Sequence, residues 1–195
     1  MKKILPICLL MVIGACSDTI PIPKPPTYLR LNLPEHSYKT YEEERCNFKF
    51  DLAEVYQISD VKAGQEISCN KDINLGPLNG MLYFSVIEMD KPLSVYINHA
   101  IDKVDEHKIM ASAIEDFNII RPKDRVFGTF FELQGDVASP FQFYLTDSVS
   151  RFVSGVVYLN KAPKYDSLKP SLDYLKVDLN QLVNTFNWNE SISNK

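Results

Sequence analysis

Apolar residues near the end of the chain recur at steps of three and four. Such steps keep one face of a 3.6-residue helix apolar, so residues 166–186 are predicted to form an amphipathic helix. Asp166 or Ser167 is expected to cap it, and Pro170 is tolerated in its first turn. The apolar face comprises Leu168, Leu172, Leu175, Leu179, Leu182, Val183 and Phe186. The polar face is predicted to comprise Lys169, Asp173, Lys176, Asp178 and Asn184.

A shorter helix is predicted in the middle of the chain. Asp90 can cap it, and Pro92 falls in its first turn, where a missing N–H is harmless. Its apolar stripe comprises Leu93, Tyr96, Ile97, Ala100, Ile101 and Val104. We therefore expect a second amphipathic helix that covers a sheet.

Strands are predicted before the middle helix. Residues 27–33 alternate towards a short strand, and residues 46–58 give one or two more. Residues 80–89 are apolar on both faces, which is typical of an interior strand.

Three segments that follow the middle helix are separated by polar turns. Residues 124–135, 139–148 and 151–160 have the lengths and spacing of an antiparallel meander. Together these elements predict an α+β domain over residues 27–190, with a mostly antiparallel sheet of six or seven strands flanked by helices. The order of the elements is similar to the Mog1/PsbP-like arrangement.

The N-terminus has the features of an export signal. Lys2 and Lys3 precede an apolar run from Ile4 to Gly14. As a helix this run is about 17 Å long, too short for a hydrocarbon core of ~30 Å. Its end, Ile13-Gly14-Ala15-Cys16, resembles the lipobox of bacterial lipoproteins. Residues 1–15 are therefore predicted to be a lipoprotein signal peptide and Cys16 the acylated residue. The alternative is an ordinary secretory signal with a cysteine near the cut.

Residues 16–26 are predicted to be a tether. Pro21, Pro23, Pro25 and Pro26 favour an extended polyproline conformation that spans about 30 Å. A proline-rich ligand for a partner domain is the alternative. Ser17 follows Cys16 where inner-membrane lipoproteins commonly have aspartate. The expected location is therefore the outer membrane, lipid-anchored and facing the periplasm.

Charge and cysteine content limit the possible functions. The chain has 21 basic residues, two of them in the signal, against 25 acidic ones, which argues against nucleic-acid binding. Cys46 and Cys69 remain as an even pair in an oxidising compartment. A disulfide between them would stabilise the fold by roughly 3 kcal/mol. Two free buried thiols or half of a metal site are the alternatives, although neither cysteine has another Cys or His at short ligand spacing.

Candidate catalytic chemistry is sparse. His36, His99 and His107 are the histidines of the chain, and a set of Ser139, His107 and Asp147 has no nucleophile elbow around the serine. The acidic run at residues 41–45 is interpreted as a solvated segment, with cation binding as the alternative. We expect no catalytic residue, no metal and no cofactor.

Several residues are interpreted as candidates for partner binding. Asp147 and Ser148 are interpreted as a turn between strands, with a partner-binding loop as the alternative. Tyrosine and tryptophan favour interfaces because they bury a large area at small entropic cost. The candidate partner-binding residues are Tyr144, Asp147, Tyr165 and Trp188. Packing against loops is the alternative for the three aromatic side chains.

Several stretches in a fixed order resemble the gliding-motility lipoprotein GldD family of Bacteroidetes. They include "PKPPTYLRLNLP", "CNFKF", "SCNKDI", "HKIMASAI", "LTDS" at residues 145–148 and "TFNW" at residues 185–188. The resemblance covers essentially the whole mature chain. It implies a cell-envelope lipoprotein, without enzymatic activity, that supports partner lipoproteins of the gliding machinery and the associated type IX secretion apparatus.

A second hypothesis belongs to a different class of function. A lipid-anchored protein could bind or process a small ligand, such as a glycan or a peptide, in a pocket between sheet and helix. Such a function requires a deep concave site with convergent polar groups. A buried histidine–carboxylate pair in that pocket would favour it.

Overall fold

The computed structural model describes residues 32–160 and 165–189. The predicted signal peptide, Cys16 and the tether lie outside the described residues, as does most of the strand predicted at 27–33. Asn32 and Leu33, the last two residues of that predicted strand, have no regular secondary structure. Two helices and ten strands are described: β1 Tyr38–Glu43, β2 Phe48–Ala53, β3 Gln57–Ala63, β4 Glu66–Asn74, β5 Gly80–Glu88, α1 Leu93–Asp105, β6 Ala111–Arg121, β7 Val126–Gly135, β8 Phe141–Thr146, β9 Arg151–Leu159, α2 Tyr165–Thr185 and β10 Asn187–Trp188.

The strands form two antiparallel sheets. The larger sheet has seven strands in the order β3-β4-β5-β9-β8-β7-β6, and the smaller has three in the order β1-β2-β10. The predicted α+β class and the meander of β7, β8 and β9 are confirmed. β5 is an interior strand, paired with β4 on one side and β9 on the other.

Four strands, β1, β4, β6 and β10, lie entirely outside the segments in which the hydrophobic pattern predicted strands. β6 forms one edge of the large sheet, and most of its side chains are exposed on both faces. An edge strand that buries little apolar surface carries no clear alternation, which is why it is hard to recognise from sequence. β1 includes Tyr41–Glu43, of which Glu42 is exposed and Tyr41 and Glu43 are partly buried, so the interpretation of residues 41–45 as a solvated segment is wrong for Tyr41 and Glu43. The carboxylate of Glu43 pairs with the fully buried Lys71 of β4 at 2.5 Å.

The main core lies on the α2 face of the large sheet. Its residues come from α2, from β2 and from the inner strands of the large sheet. Four phenylalanine rings, Phe48, Phe50, Phe84 and Phe186, pack with centroids 5.3–6.2 Å apart. α2 was predicted correctly as an amphipathic helix, and its leucine stripe is buried. Asp166 and Ser167 lie in its first turn, so neither is the residue that precedes the helix.

α1 covers the opposite face of the sheet much less tightly. Of its predicted stripe only Val104 is fully buried, in a small cluster with Leu133 and Val137, and Ile101 is 40 % exposed. Asp90 does not cap α1, because Pro92 takes the position before the helix, and Asp90 accepts a hydrogen bond from the Tyr96 hydroxyl at 2.5 Å instead. Among the described residues, neither helix is long and apolar enough to span a bilayer.

Candidate functional site

A disulfide joins the two sheets. Cys46, in the turn between β1 and β2, bonds to Cys69 of β4 with an S–S length of 2.05 Å and Cα atoms 5.9 Å apart. The guanidinium of Arg45 in the same turn donates to the carbonyl oxygens of Ile67 and Ser68, at 2.8 and 3.3 Å. The first half of β4 is therefore held against the small sheet.

Close to the disulfide, β4 separates from β5. β4 pairs with β5 only from Asn74–Met81 to Lys71–Phe84, whereas β5 continues to Glu88 alongside β9. A cleft of about 830 Å³ opens beside the unpaired end of β5. We call it the arginine cleft, defined by Arg45, Asn47, Glu88, Arg125, Asp147 and Arg151.

Asp147 is a buried member of the cleft, 3 % exposed, in the turn between β8 and β9. Its Oδ1 accepts the backbone N–H groups of Val149, Ser150 and Arg151, each at 2.9 Å, and its Oδ2 accepts Nε of Arg151 at 2.9 Å. Burial alone would raise the pKa of this carboxyl, but the hydrogen bonds from the backbone and from Arg151 hold it well below its usual range. The side chain thus stays ionised and shapes the turn, as expected of an aspartate in this position.

Trp188 lies behind the cleft and is only 5 % exposed. Its indole Nε1–H donates to the carbonyl oxygen of Arg125 at 3.1 Å, and the Arg151 guanidinium lies over its ring, 4.4 Å from the centroid. The next residue, Asn189, donates its backbone N–H to the carbonyl of Asn47 at 2.9 Å. The C-terminal strand therefore positions two walls of the cleft.

The other two candidate partner-binding residues lie elsewhere. Tyr144 is 9 % exposed, accepts a hydrogen bond from Thr129 Oγ1 at 3.0 Å, and stacks on Phe152 under α1. Tyr165 is partly buried at the start of α2, where its backbone N–H donates to Asp136. The structure thus brings Asp147 and Trp188 together and separates both from Tyr144 and Tyr165. Tyr144 and Trp188 are nearly buried, and contact of any of the four residues with a partner stays a prediction.

Sequence reasoning missed the densest polar cluster, which surrounds Asp178 of α2. This carboxylate is 3 % exposed, although Asp178 was assigned to the polar face of the helix. It accepts hydrogen bonds from the hydroxyls of Tyr56 and Tyr38 at 2.6 and 2.9 Å, and His36 Nδ1 lies 2.7 Å away. Burial and the bond to Asp178 raise the pKa of Tyr38 to about 12 and that of Tyr56 still further.

The helical period itself contained a signal for Asp178. It follows Leu175 by three residues and precedes Leu182 by four, so it occupies the buried stripe despite its charge. Its partners come from residues more than 120 positions away, which the local pattern could not identify. His36 also stacks on Tyr174, with ring centroids 4.1 Å apart. The cluster therefore attaches the segment that enters the domain to α2.

The structure does not bring Ser139, His107 and Asp147 together as a catalytic set. Ser139 is fully buried, and both oxygens of Asp147 are engaged by its own turn. Within residues 32–160 and 165–189, no hydrogen bond joins Ser139, His107 and Asp147, and no group of His, Cys, Asp and Glu side chains is arranged to hold a metal ion.

Comparisons with known proteins place the chain in a family. One similar solved structure is that of cyanobacterial PsbP (CyanoP) from Synechocystis sp. PCC 6803, with 13 % identity and a TM-score of 0.47, covering 80 % of this chain and 95 % of that one. No curated protein matches the chain. The family model described as "Gliding motility lipoprotein GldD" matches residues 18–188, which include every described strand and helix. The chain therefore belongs to the gliding motility lipoprotein GldD family.

Proposed function

We propose that this protein is a non-enzymatic lipoprotein of the cell envelope that supports the assembly or stability of the gliding motility and type IX secretion machinery by binding partner proteins. The family match over residues 18–188 is the observation that carries the proposal. In this proposal Cys16 bears the lipid, residues 17–26 act as a spacer, and the domain that follows makes the contacts. The anchor lies in the outer membrane and the domain faces the periplasm.

The geometry supports a binding role because the described domain presents a preformed cleft. A disulfide, the turn around Asp147 and the Trp188–Arg125 bond each connect wall residues to other parts of the fold. Connections of this kind reduce the conformational entropy that is lost when a partner binds.

A small ligand is the second candidate, and the volume of the arginine cleft favours it. About 830 Å³ lies within the usual range of ligand pockets. The histidine–carboxylate pair that would favour this function is present as His36 and Asp178, but neither residue lines the cleft. The pair instead joins the entry segment to α2, so it supports a structural role.

The proposal can be tested in the bacterium that produces the protein. The full-length protein, with a C-terminal affinity tag, is captured from detergent-solubilised envelope membranes, and a Cys16→Ser variant serves as the matched control. We expect motility or secretion proteins to co-purify with the wild type, and their levels to fall when the gene is deleted. The Cys16→Ser variant should move to the aqueous phase and lose these partners. Recovery of no such protein, together with unchanged levels in the deletion strain, would contradict the proposal.

The lipid anchor has its own measurement. Mass spectrometry of the mature wild-type protein should show an N-terminal Cys16 that carries acyl chains. A free thiol at Cys16 in a protein found in the aqueous fraction would exclude the anchor.

A further inference from the structure

We propose that the arginine cleft binds an extended, acidic segment of a partner protein, which adds to the open end of β5 as a short strand and places its carboxylates on Arg45 and Arg125. This inference rests on the proposed function in one respect, namely that the ligand belongs to a partner protein.

The backbone of β5 supplies the first argument. Beyond Phe84, β5 pairs with β9 alone, and the N–H of Val86 turns to the open side, where the Asn70 side chain accepts it at 2.8 Å. Alternate residues of a strand direct their backbone groups to the same neighbour. The N–H and C=O of Glu88 therefore face the cleft, because Glu88 lies two residues after Val86. An extended peptide can pair with such groups, as in other cases of strand addition.

The charges supply the second argument. Arg45 and Arg125 reach the cleft from two separate turns and Arg151 from the start of β9, whereas the acidic residues of the cleft are Glu88 and Asp147. Asp147 is engaged by Arg151 and by the turn, and Nε of Arg45 lies 3.5 Å from the Glu43 carboxylate, so Arg125 is the cleft arginine without a carboxylate partner among the described residues. The lining thus holds three guanidinium groups against two carboxylates, on a chain whose net charge is −4. A guanidinium has five N–H donors, so Arg45 keeps donors free after its bonds to Ile67 and Ser68.

Residues with strained backbone φ angles lie around the arginine cleft. Asn47 and Arg125 have φ angles of 55° and 52°, and Ser148, next to Asp147, has a φ of 63°. Left-handed conformations are unfavourable for residues with a Cβ and persist only when the surroundings fix them. Here bonds from Asn189 and Trp188 hold the carbonyls of Asn47 and Arg125. Three of the four described non-glycine residues with positive φ therefore surround the cleft.

The shape favours an extended peptide over a single phosphate group. The volume is several times that of one phosphate, and Val86, Met89 and Val149 add apolar surface between the charges. In a bound strand, alternate side chains face the same way, so carboxylates at every second position can reach the arginines while the intervening residues contact apolar groups.

The test uses two capped peptides with the same backbone length. Fluorescein-labelled EVEVEV carries three carboxylates on one side of a strand, and QVQVQV is its uncharged control. Binding to the full-length protein in neutral detergent is measured by fluorescence anisotropy for the wild type, for Arg125→Glu and for Arg45→Ala. Lys62→Glu reverses the charge of an exposed residue outside the cleft and is the matched control. Circular dichroism shows whether each variant is folded.

We expect EVEVEV to bind the wild type and Lys62→Glu equally. Its affinity should fall about tenfold or more in Arg125→Glu, because a charge-assisted hydrogen bond is replaced by repulsion. Arg45→Ala should weaken binding less, and added salt should weaken it in the wild type. Equal binding of QVQVQV, or equal affinity in Arg125→Glu and the wild type, would overturn the proposal. Displacement of EVEVEV by millimolar inorganic phosphate or by phosphatidylglycerol added to the same detergent micelles would also overturn it, in favour of a phosphate site.

Capture from membranes separates the two proposals. If Arg125→Glu recovers the same machinery proteins in the same amounts as the wild type, the cleft does not bind the partner, although the proposed function stands. If the wild type itself recovers none, the proposed function fails whatever the peptides do.

Discussion

Two aspartates of this protein are equally buried, yet the structure uses them differently. Asp178 and Asp147 are each 3 % exposed. Asp178 accepts hydrogen bonds from aromatic side chains that lie far away in sequence, whereas Asp147 accepts mainly the backbone N–H groups of the three residues 149–151. The first aspartate connects distant segments, and the second organises a local turn.

The comparison shows that burial alone does not reveal the role of a charged residue. The donors around Asp178 join the entry segment and the loop before β3 to α2, so the cluster stabilises the fold. The donors around Asp147 fix the β8–β9 turn and leave Arg151 stacked on Trp188 at the wall of an open cleft. The origin of the donors therefore distinguishes a structural carboxylate from one that shapes a surface.

The largest expected effect is that of Asp178→Ala. It removes the acceptor of two buried or partly buried hydroxyls, so the free energy of unfolding should fall by about 4 kcal/mol in urea denaturation. Asp173→Ala is the control, because Asp173 lies on the same helix, is 58 % exposed and pairs only with Lys169 among the described residues; it should cost less than about 0.5 kcal/mol. Similar losses in the two variants would show that the Asp178 cluster has no special role.

The next effect concerns the disulfide. Replacing both Cys46 and Cys69 by alanine opens a cross-link between residues 23 positions apart, which should lower the stability by about 3 kcal/mol. It should also weaken EVEVEV binding, since β4 is no longer held against the β1–β2 turn. A reducing agent should destabilise the wild type and leave the double variant unchanged. If it leaves both unchanged, the two thiols are not bridged in solution.

A smaller loss is expected at Asp147. Asp147→Ala removes the acceptor of three backbone N–H groups near the surface and should lower the stability by about 2 kcal/mol. Asp147→Asn keeps an acceptor oxygen for the turn and should cost less than half of that. Equal costs would mean that charge, and not turn geometry, determines the contribution of Asp147.

Two further effects depend on pH, and the first of them is on the alkaline side. The folded chain raises the pKa of Tyr38 from 10.0 to about 12. The unfolded chain therefore loses this proton first, so the stabilisation is complete below pH 10 and is lost as pH rises towards 12. Tyr38→Phe should flatten this part of the stability curve measured in urea. An unchanged slope would mean that Tyr38 is not the group responsible.

Acidic pH should reduce the contribution of Asp147 to the stability of the fold. The folded pKa of Asp147 is lowered, so its contribution is present above the ordinary aspartate pKa and is lost as pH falls below it. Asp147→Asn should therefore have a shallower loss of stability in acid than the wild type, with little difference at pH 10–12. If this variant also lost less stability at alkaline pH, the acidic and alkaline losses could not be assigned separately to Asp147 and Tyr38.

Much of the fold was predictable because it depends on local periodicity. Leucines at steps of three and four identified α2 and its buried face, and the lengths and spacing of three segments identified the β7–β9 meander. The edge strand β6 and the exposed half of α1 were poorly predicted, because elements that bury little apolar surface leave a weak pattern. The candidate site was predicted only in part: Asp147, Trp188 and the two cysteines were named individually, but nothing local indicated that Asp147 and the cysteines line one cleft with Trp188 behind it.

Short-range periodicity and stretches in a fixed order were enough to predict both helices, the interior strand β5, the β7–β9 meander, the α+β class and the family. The burial of Asp178, the departure of β4 from β5 beyond Phe84 and the meeting of three arginines beside it depend on the tertiary structure. The Asp178 cluster joins residues up to 142 positions apart, and the disulfide joins residues 23 positions apart. The hydrogen-bond donors around a buried charge depend on the packing of the whole chain and leave no local pattern. The same is true of a strand that a disulfide holds away from its neighbour.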